Sequence, residues 1–203
     1  MADKAEVVLI GLPKKLIVDG LQAAFNLHVI PRGPEAEAAI AKVAANVRGA
    51  AVTGAPDKMM GDVMARLPKL ELVSSFGVGY DNVDAKYAAA HGITVCNTPE
   101  VLNEEVADTA LGLLLCTVRE FPQAERYLRA GKWLKGGYPL SATLRDRTVG
   151  IVGLGRIGKA IAKRVEAFGV PVVYHSRNSQ KDVSYKYYAK LVDMVKEIGR
   201  AHV

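Results

Sequence analysis

Short apolar runs alternate with segments of helical spacing along the first hundred residues. The runs predicted to be strands lie at residues 7–10, 27–30, 50–53, 70–75 and 94–96. Between them, apolar residues recur every three or four positions, which predicts helices at residues 14–25, 35–46, 57–66 and 84–91. Strands that alternate with helices are typical of a parallel sheet covered by helices on both faces. The pattern therefore predicts an α/β fold for the first half of the chain.

The next segment, residues 103–130, has the spacing of one long helix. Its apolar positions recur at intervals of three and four residues, at Val106, Ala110, Leu113, Leu114 and Val118. Pro122 cannot continue the hydrogen-bond ladder, so the helix can break near it. We place the domain boundary near residues 97–99. This gives a first domain over residues 1–98 and a second over residues 99–203, with the long helix between them.

A glycine-rich motif follows an apolar strand in the second half of the chain. The sequence Gly153-Leu-Gly155-Arg-Ile-Gly158 comes directly after Thr148-Val-Gly-Ile-Val and directly before a helical pattern. Taken alone such a motif is weak, but the order strand, motif, helix, strand is typical of a dinucleotide-binding unit. In such a unit the first glycine allows a sharp turn, the second allows the backbone to approach a pyrophosphate, and the third allows close packing. The spacing predicts two strands for this second sheet, the later one at Val172–His175.

The end of that later strand bears on the choice of coenzyme. An NAD-binding site usually has an acidic residue about 20 positions after the first glycine. Here residues 173–178 read Val-Tyr-His-Ser-Arg-Asn, without an acid. Ser176 and Arg177 supply a hydroxyl and a guanidinium, which suit a phosphate dianion. The sequence therefore favours NADPH over NADH, the alternative being that Arg177 simply points into water.

A second glycine pair, Gly77-Val-Gly79, follows another predicted strand. It precedes a helix whose N-cap is Asp81 or Asp84, since Asp is favoured at that position. Small residues leave the N–H groups of Val78 and Gly79 accessible to an anion. By itself this segment can equally be a tight turn.

Composition and charge narrow the function classes. Half of the 203 residues are hydrophobic, the formal net charge is +6 and the pI is about 9.3. The positive residues are scattered without a run of five, which favours a solvated surface over a nucleic-acid site. Cys96 and Cys116 are expected to be buried on a strand and a helix face, and their spacing predicts neither a disulfide nor a metal site. No signal-peptide pattern and no membrane-length apolar stretch occur, so a cytoplasmic protein is the default expectation.

Four motifs occur together in one order, and together they resemble the D-isomer-specific 2-hydroxyacid dehydrogenase family. They are Gly77-Val-Gly-Tyr-Asp-Asn-Val-Asp84, Asn97-Thr-Pro99, Val106-Ala-Asp-Thr-Ala110 and Gly150-Ile-Val-Gly-Leu-Gly-Arg-Ile-Gly158. The resemblance covers about residues 5–196. Because of Ser176 and Arg177, the chain looks most like the family members that reduce glyoxylate or hydroxypyruvate with NADPH.

The resemblance implies a fold and a set of site residues. The fold is a flavodoxin-like parallel-sheet domain for the substrate, followed by the first part of a Rossmann dinucleotide-binding domain, with the active-site cleft between them. Val78 and Gly79 bind the substrate carboxylate through their N–H groups. The cofactor-binding residues comprise the motif, the turn after the later strand and a helix residue near the nicotinamide: Gly153, Leu154, Gly155, Arg156, Ile157, Gly158, Ser176, Arg177, Asn178 and Thr109.

The resemblance also implies that the catalytic groups are not in this sequence. In the family an Arg orients the substrate, and a His held by a Glu donates the proton, all three well beyond the glycine motif. We therefore expect a C-terminally truncated, inactive chain of an NADPH-dependent reductase. None of the histidines present is the expected proton donor: His28, His91, His175 and His202. The last six residues, 198–203, resemble a translated sequencing adapter and are expected to be an artefact.

The resemblance further implies a homodimer of the complete protein, with residues 103–130 at its interface, and a small 2-oxo or 2-hydroxy acid as substrate. Neither a nucleic acid nor a membrane is expected as a partner. Two alternatives remain open. One is a nucleotide-sensing, corepressor-like binding protein, and the other is a fragment without catalytic function.

Overall fold

The computed structural model describes residues 4–54 and 58–198. The chain divides into two compact units, Met1–Val101 and Leu102–Val203. The division falls close to the predicted boundary after residue 98.

The first unit is a parallel sheet whose strands alternate with helices. Its elements are β1 (Glu6–Gly11), α1 (Lys15–Ala24), β2 (Asn26–Val29), α2 (Ala36–Val43), β3 (Val47–Thr53), α3 (Gly61–Met64), β4 (Leu72–Phe76), α4 (Ala85–Ala90) and β5 (Thr94–Cys96). All strand pairs are parallel, in the order β2-β1-β3-β4-β5. This order is that of the flavodoxin-like fold, so the fold predicted for this part of the chain is confirmed.

Helices α2, α3 and α4 pack on one face of this sheet. Their apolar side chains join the inward residues of the central strands, Val8, Ala50, Val52 and Val73, in one buried cluster. Alternate residues of β1 and β3 point to the opposite face, as the period of a strand requires. The predicted helix over residues 57–66 is shortened to the single turn of α3, and residue 57 lies outside the described residues.

The second unit begins with two helices where the sequence indicated one. Helix α5 (Asn103–Val118) ends before Glu120, whose φ of +53° is left-handed, and α6 (Phe121–Arg129) begins directly after it. Pro122 occupies the first turn of α6, where a missing N–H costs nothing. Residues 103–130 therefore form two helices rather than one, and the break between them lies beside Pro122, where the sequence indicated that the helix could break. A single-turn 3-10 helix (Lys132–Lys135) follows.

The rest of the second unit is a three-stranded parallel sheet with two helices. Its elements are β6 (Val149–Val152), α7 (Arg156–Glu166), β7 (Val172–His175), β8 (Lys186–Tyr188) and α8 (Leu191–Ile198), and the strand order is β6-β7-β8. Two strands were predicted for this sheet and the structure has three, so that prediction is wrong. Strand β8 has three residues, two of them Tyr, and it lies in a polar segment, so it carries no apolar run that a sequence pattern would detect.

Helix α5 packs on α7 through apolar and charged contacts. Leu111, Leu114 and Val118 contact the cluster of β6, α7 and β7. Arg164 of α7 donates hydrogen bonds to Glu104 Oε2 at 2.7 Å and to Asp108 Oδ1 at 2.6 Å. These bonds raise the pKa of Arg164, with Glu104 the larger cause.

The two cysteines are less buried than expected. Cys96 is exposed and Cys116 is half-buried. Cys96 is the last residue of β5, a strand of three residues at the edge of its sheet, where only one side has a neighbouring strand. None of the described helices is both long enough and apolar enough to cross a membrane.

Candidate functional site

The glycine motif forms a sharp turn between β6 and α7. Gly153 has a φ of +91°, which favours glycine, and its N–H donates to the carbonyl of His175 at 2.7 Å. The turn is therefore fixed to the end of the neighbouring strand β7. This places the start of α7 and the end of β7 side by side.

Gly158 and Gly155 differ in what surrounds them. A Cβ on Gly158 would lie 2.2 Å from the carbonyl oxygen of Gly153, so α7 and the turn approach more closely than any side chain allows. A Cβ on Gly155 would meet nothing within 4 Å. Gly155 is the N-cap of α7 and has no side chain to satisfy the first N–H groups of the helix. Those donors and the positive end of the helix dipole suit an anion such as a pyrophosphate.

An open depression of about 580 Å³ lies where β6, α7 and β7 meet. Seven of the ten residues predicted for the coenzyme line it: Gly153, Leu154, Gly155, Arg156, Ser176, Arg177 and Asn178. The side chain of Leu154 is buried in the core, so its backbone is what it presents to the depression. Ile157 and Gly158 are not among the lining residues. Their part in the arrangement is to form the first turn of α7.

The charge of this depression is positive. Arg156, Lys159 and Arg177 line it, and none of the lining residues is acidic. Arg177 is exposed and forms no hydrogen bond or ion pair with the described residues. A guanidinium without a protein partner beside two other cations suits a phosphate group.

Three tyrosines hold the segment that follows β7. The buried Tyr174 accepts a hydrogen bond from the N–H of Gln180 at 2.8 Å, and Tyr187 donates to the carbonyl of Ser176 at 3.2 Å. Tyr185 donates to Glu166 Oε1 at 2.8 Å, and its pKa is raised, first by burial and then by this bond. Within the segment, Ser176 Oγ donates to the carbonyl of Asn178 at 2.6 Å. The position of the Ser176 hydroxyl and of the following turn is therefore fixed by the fold.

Sequence reasoning missed two residues that line the depression, Lys159 and Gln180. His175, at the end of β7, lines it as well. His175 donates from Nδ1 to the carbonyl of Tyr188 at 2.8 Å. Lys159 donates to Asp182 Oδ2 at 2.6 Å, and Asp182 lies in the loop between β7 and β8. The sequence could have indicated Lys159, because it lies one turn after the N-cap of α7 and helix side chains tilt toward the N-terminus, here toward the glycine turn.

The second glycine pair forms a turn after β4, beside a smaller depression of about 240 Å³ lined by Gly77 and Gly79. The N–H groups of Val78 and Gly79 donate to none of the described residues. Asn97 Nδ2 donates to the carbonyl of Val78 at 2.8 Å, which orients that peptide. Asp84 accepts from the N–H of Tyr87 at 2.9 Å and is thus the N-cap of α4. Gly79 lines this depression together with the acidic Asp81, whereas Val78 is not among its lining residues. That the two N–H groups bind a carboxylate therefore stays a prediction.

Thr109 is not brought to the coenzyme depression. It lies on the exposed part of α5, and its hydroxyl donates to the carbonyl of Glu105 at 2.8 Å. Its role near a nicotinamide stays a prediction.

The described histidines each have a structural partner. His28 bonds Glu6 across β1 and β2, and this bond is the main reason that the pKa of Glu6 is lowered. His91 donates from Nδ1 to the carbonyl of Tyr87 at 2.8 Å and stacks on its ring. His202 lies outside the described residues.

Comparisons with known proteins agree on one family. The family model described as "D-isomer specific 2-hydroxyacid dehydrogenase, catalytic domain" matches residues 8–202. The glyoxylate/hydroxypyruvate reductase A HPR2 of Arabidopsis thaliana is 44% identical over 177 residues, which are 86% of this chain and 55% of that protein. A glyoxylate reductase of Thermococcus litoralis is 40% identical over 150 residues, which are 71% of this chain and 45% of that protein. The chain thus spans about half the length of these curated relatives.

Solved structures give the same result. The crystal structure of an NADPH-dependent glyoxylate/hydroxypyruvate reductase from Sinorhizobium meliloti in complex with NADP and malonate is 46% identical, with a TM-score of 0.84. The match covers 97% of this chain and 60% of that one. A second structure of that reductase, in complex with citrate, gives a TM-score of 0.86 at 45% identity and covers 98% of this chain and 61% of that one.

Proposed function

This chain belongs to the D-isomer specific 2-hydroxyacid dehydrogenase family, and we propose that it carries the coenzyme- and carboxylate-binding parts of an NADPH-dependent reductase. The substrate we propose is a small 2-oxo acid such as glyoxylate or hydroxypyruvate. The similarity to glyoxylate and glyoxylate/hydroxypyruvate reductases supports this substrate class. The observation that carries the proposal is the depression at β6 and β7, which combines a glycine turn with three cations and no acidic lining residue.

The residues of this depression fit NADPH. The space beside Gly155 is free of other atoms, and the N–H groups at the start of α7 point to the anion that would fill it. Arg177 would hold the 2′-phosphate, whose charge a carboxylate at this place would repel. Ser176 would contribute by turning its hydroxyl from the carbonyl of Asn178 to the phosphate. When bound, NADPH supplies the hydride that reduces the 2-oxo carbon.

The turn after β4 would hold the substrate. Val78 and Gly79 would donate their two N–H groups to the substrate carboxylate, and Asn97 keeps the Val78 peptide in that orientation. Binding by backbone donors selects for the carboxylate and places few demands on the rest of the acid. This is consistent with activity on more than one small 2-oxo acid.

Titration of this chain with NADPH and NADH tests the coenzyme part. We expect NADPH to bind at least about tenfold more tightly, because an ionic hydrogen bond to the 2′-phosphate contributes about 1.5–3 kcal/mol. The Arg177→Asp variant should remove this preference. An unchanged affinity ratio in that variant would show that Arg177 does not recognise the phosphate.

A test of the reaction uses a longer protein, this chain extended to the length of its relatives, and compares glyoxylate with hydroxypyruvate as substrates. Turnover of either acid with NADPH supports the proposal. The corepressor-like alternative predicts coenzyme binding without turnover.

We further propose that the complete protein is a homodimer and acts in the cytoplasm. Large apolar side chains are exposed along the helical segment that follows residue 102, including Leu113, Leu128 and Leu134, the last at 90% exposure. Sedimentation of the longer protein with and without Leu134→Glu tests the dimer. Microscopy of the tagged protein tests the compartment.

A further inference from the structure

Lys159 lies one turn into α7 and lines the coenzyme depression. Its backbone N–H donates to the carbonyl of Gly155 at 2.9 Å, so its position relative to the glycine turn is fixed. Side chains of a helix tilt toward its N-terminus. The ammonium of Lys159 therefore extends to the side of the depression that faces residues 176–182, and one third of the side chain is exposed.

Asp182 is the partner of that ammonium. Lys159 Nζ lies 2.6 Å from Asp182 Oδ2, and Asp182 belongs to the loop that runs from β7 to β8. The bond holds the pKa of Asp182 below its ordinary value. Asp182 itself does not line the depression, so its carboxylate stands behind the ammonium rather than inside the site.

The loop that carries Asp182 also carries the proposed 2′-phosphate residues. It begins with Ser176 and Arg177, and the bonds of Tyr174 and Tyr187 fix its first part. The Lys159–Asp182 pair therefore connects α7 to the same loop and leaves a cation at its edge. An ion pair this exposed contributes little to stability, so a bound anion can share the ammonium at small cost.

We propose that Lys159 is a second cation for the 2′-phosphate of NADPH, beside Arg177, and that Asp182 is the counter-ion with which its ammonium pairs before the coenzyme binds and from which the phosphate then draws it. This inference rests on the proposed function. A phosphate dianion matches two cations better than one, whereas NADH offers no group to Lys159 at this position. Lys159 thus contributes to the choice between the two coenzymes.

The test measures the dissociation constants of NADPH and NADH for this chain and for Lys159→Met. We expect NADPH to bind about tenfold more weakly to the variant and NADH to change by less than about twofold, as loss of one charged hydrogen bond predicts. The control is Lys163→Met, because Lys163 is exposed on the same helix and does not line the depression. It removes the same charge and should leave both constants within about twofold. Lys159→Arg, which keeps the charge, should retain most of the preference.

Asp182→Asn tests the counter-ion. It removes a negative charge near the dianion and frees the ammonium, so NADPH should bind about two- to fivefold more tightly while NADH stays unchanged. Weaker NADPH binding by this variant would overturn the counter-ion assignment.

Other outcomes separate the inference from the proposed function. If Lys159→Met weakens both coenzymes equally, or neither, Lys159 does not read the 2′-phosphate and the inference is wrong while the function stands. If the unaltered chain binds neither coenzyme, the proposed function and the inference both fail. Thermal unfolding of each variant without coenzyme shows whether it is folded. If Lys159→Met does not fold, the ratio of the NADPH and NADH dissociation constants in Lys159→Arg is compared with that of the unaltered chain instead.

Discussion

Gly155 and Gly158 lie three residues apart in one motif, and the structure assigns them separate tasks that alanine substitution can distinguish. A Cβ on Gly158 would lie 2.2 Å from the backbone oxygen of Gly153, whereas ordinary contact begins at 3.4 Å. The helix and the turn must therefore separate by more than 1 Å. They cannot do so by rotating a side chain, because the obstructing atom belongs to the backbone.

Gly158→Ala should therefore destabilise the second unit. Overpacking in a well-packed region costs about 1–3 kcal/mol, and we expect a value near the upper end because the obstruction cannot rotate away. For a unit of about 100 residues this corresponds to a Tm lowered by roughly 10–20 °C. The single tryptophan, Trp133, belongs to the second unit, so its fluorescence reports the relevant transition. Circular dichroism on the same samples follows the whole chain.

Gly155→Ala should have the opposite profile. Its φ of −80° and ψ of −159° are open to alanine, and the new Cβ meets no atom within 4 Å. A gain of about 0.4–1 kcal/mol from the less flexible unfolded chain is offset by the poorer N-cap that alanine makes, so Tm should stay nearly constant. NADPH binding should weaken by about tenfold or more, because the methyl group fills the space through which the pyrophosphate approaches.

Either variant can refute the reasoning. An unchanged Tm in Gly158→Ala would mean that the close approach of α7 to the turn is not required. Undiminished NADPH affinity in Gly155→Ala would mean that the pyrophosphate does not lie against this glycine, and the coenzyme would have to bind elsewhere in the depression.

Two further predictions concern stability. Hydrogen bonds from His28 and, to a smaller extent, Asn26 hold the pKa of Glu6 in the folded protein below its ordinary value of 4.5. Ionised Glu6 therefore stabilises the fold at pH values above 4.5, and this stabilisation is lost as the pH falls through the pKa of the folded state. In Glu6→Gln the free energy of unfolding, measured with urea from neutral pH to about pH 3, should fall less steeply as the pH decreases. An unchanged pH dependence would show that other carboxyl groups determine it. Arg164→Met removes both hydrogen bonds between α7 and the carboxylates of α5, and it should lower Tm, make Tm less sensitive to salt and leave NADPH affinity unaltered. A fall in NADPH affinity would contradict the view that Arg164 acts only on packing.

The fold of the first unit was largely predictable because its strands are buried in the middle of a parallel sheet. Such strands are almost continuously apolar, as in the run that includes Val8 and the run that includes Val52, and they stand out in a sequence. The elements that were shortened or missed lack this property. Helix α3 is a single turn, and the three residues of β8 are held by their neighbours more than by their own pattern. Cys96 was expected to be buried because it was predicted to lie on a strand. The strand has only three residues and lies at the edge of the sheet, so it buries little of its last side chain.

The coenzyme site shows the same division at the level of side chains. The conformation of Gly153 and the close packing of Gly158 follow from local geometry that only glycine permits, so the motif together with its flanking strands and helix was sufficient to predict both. The Lys159–Asp182 pair joins residues 23 positions apart through a loop of irregular structure, and no spacing rule relates them. In the proposed complex the pyrophosphate would be bound by backbone that the motif determines, whereas the 2′-phosphate would be bound by side chains whose positions depend on tertiary contacts of the loop after β7. Preference between NADPH and NADH should for this reason change with few substitutions in that loop, while the ability to bind a dinucleotide persists.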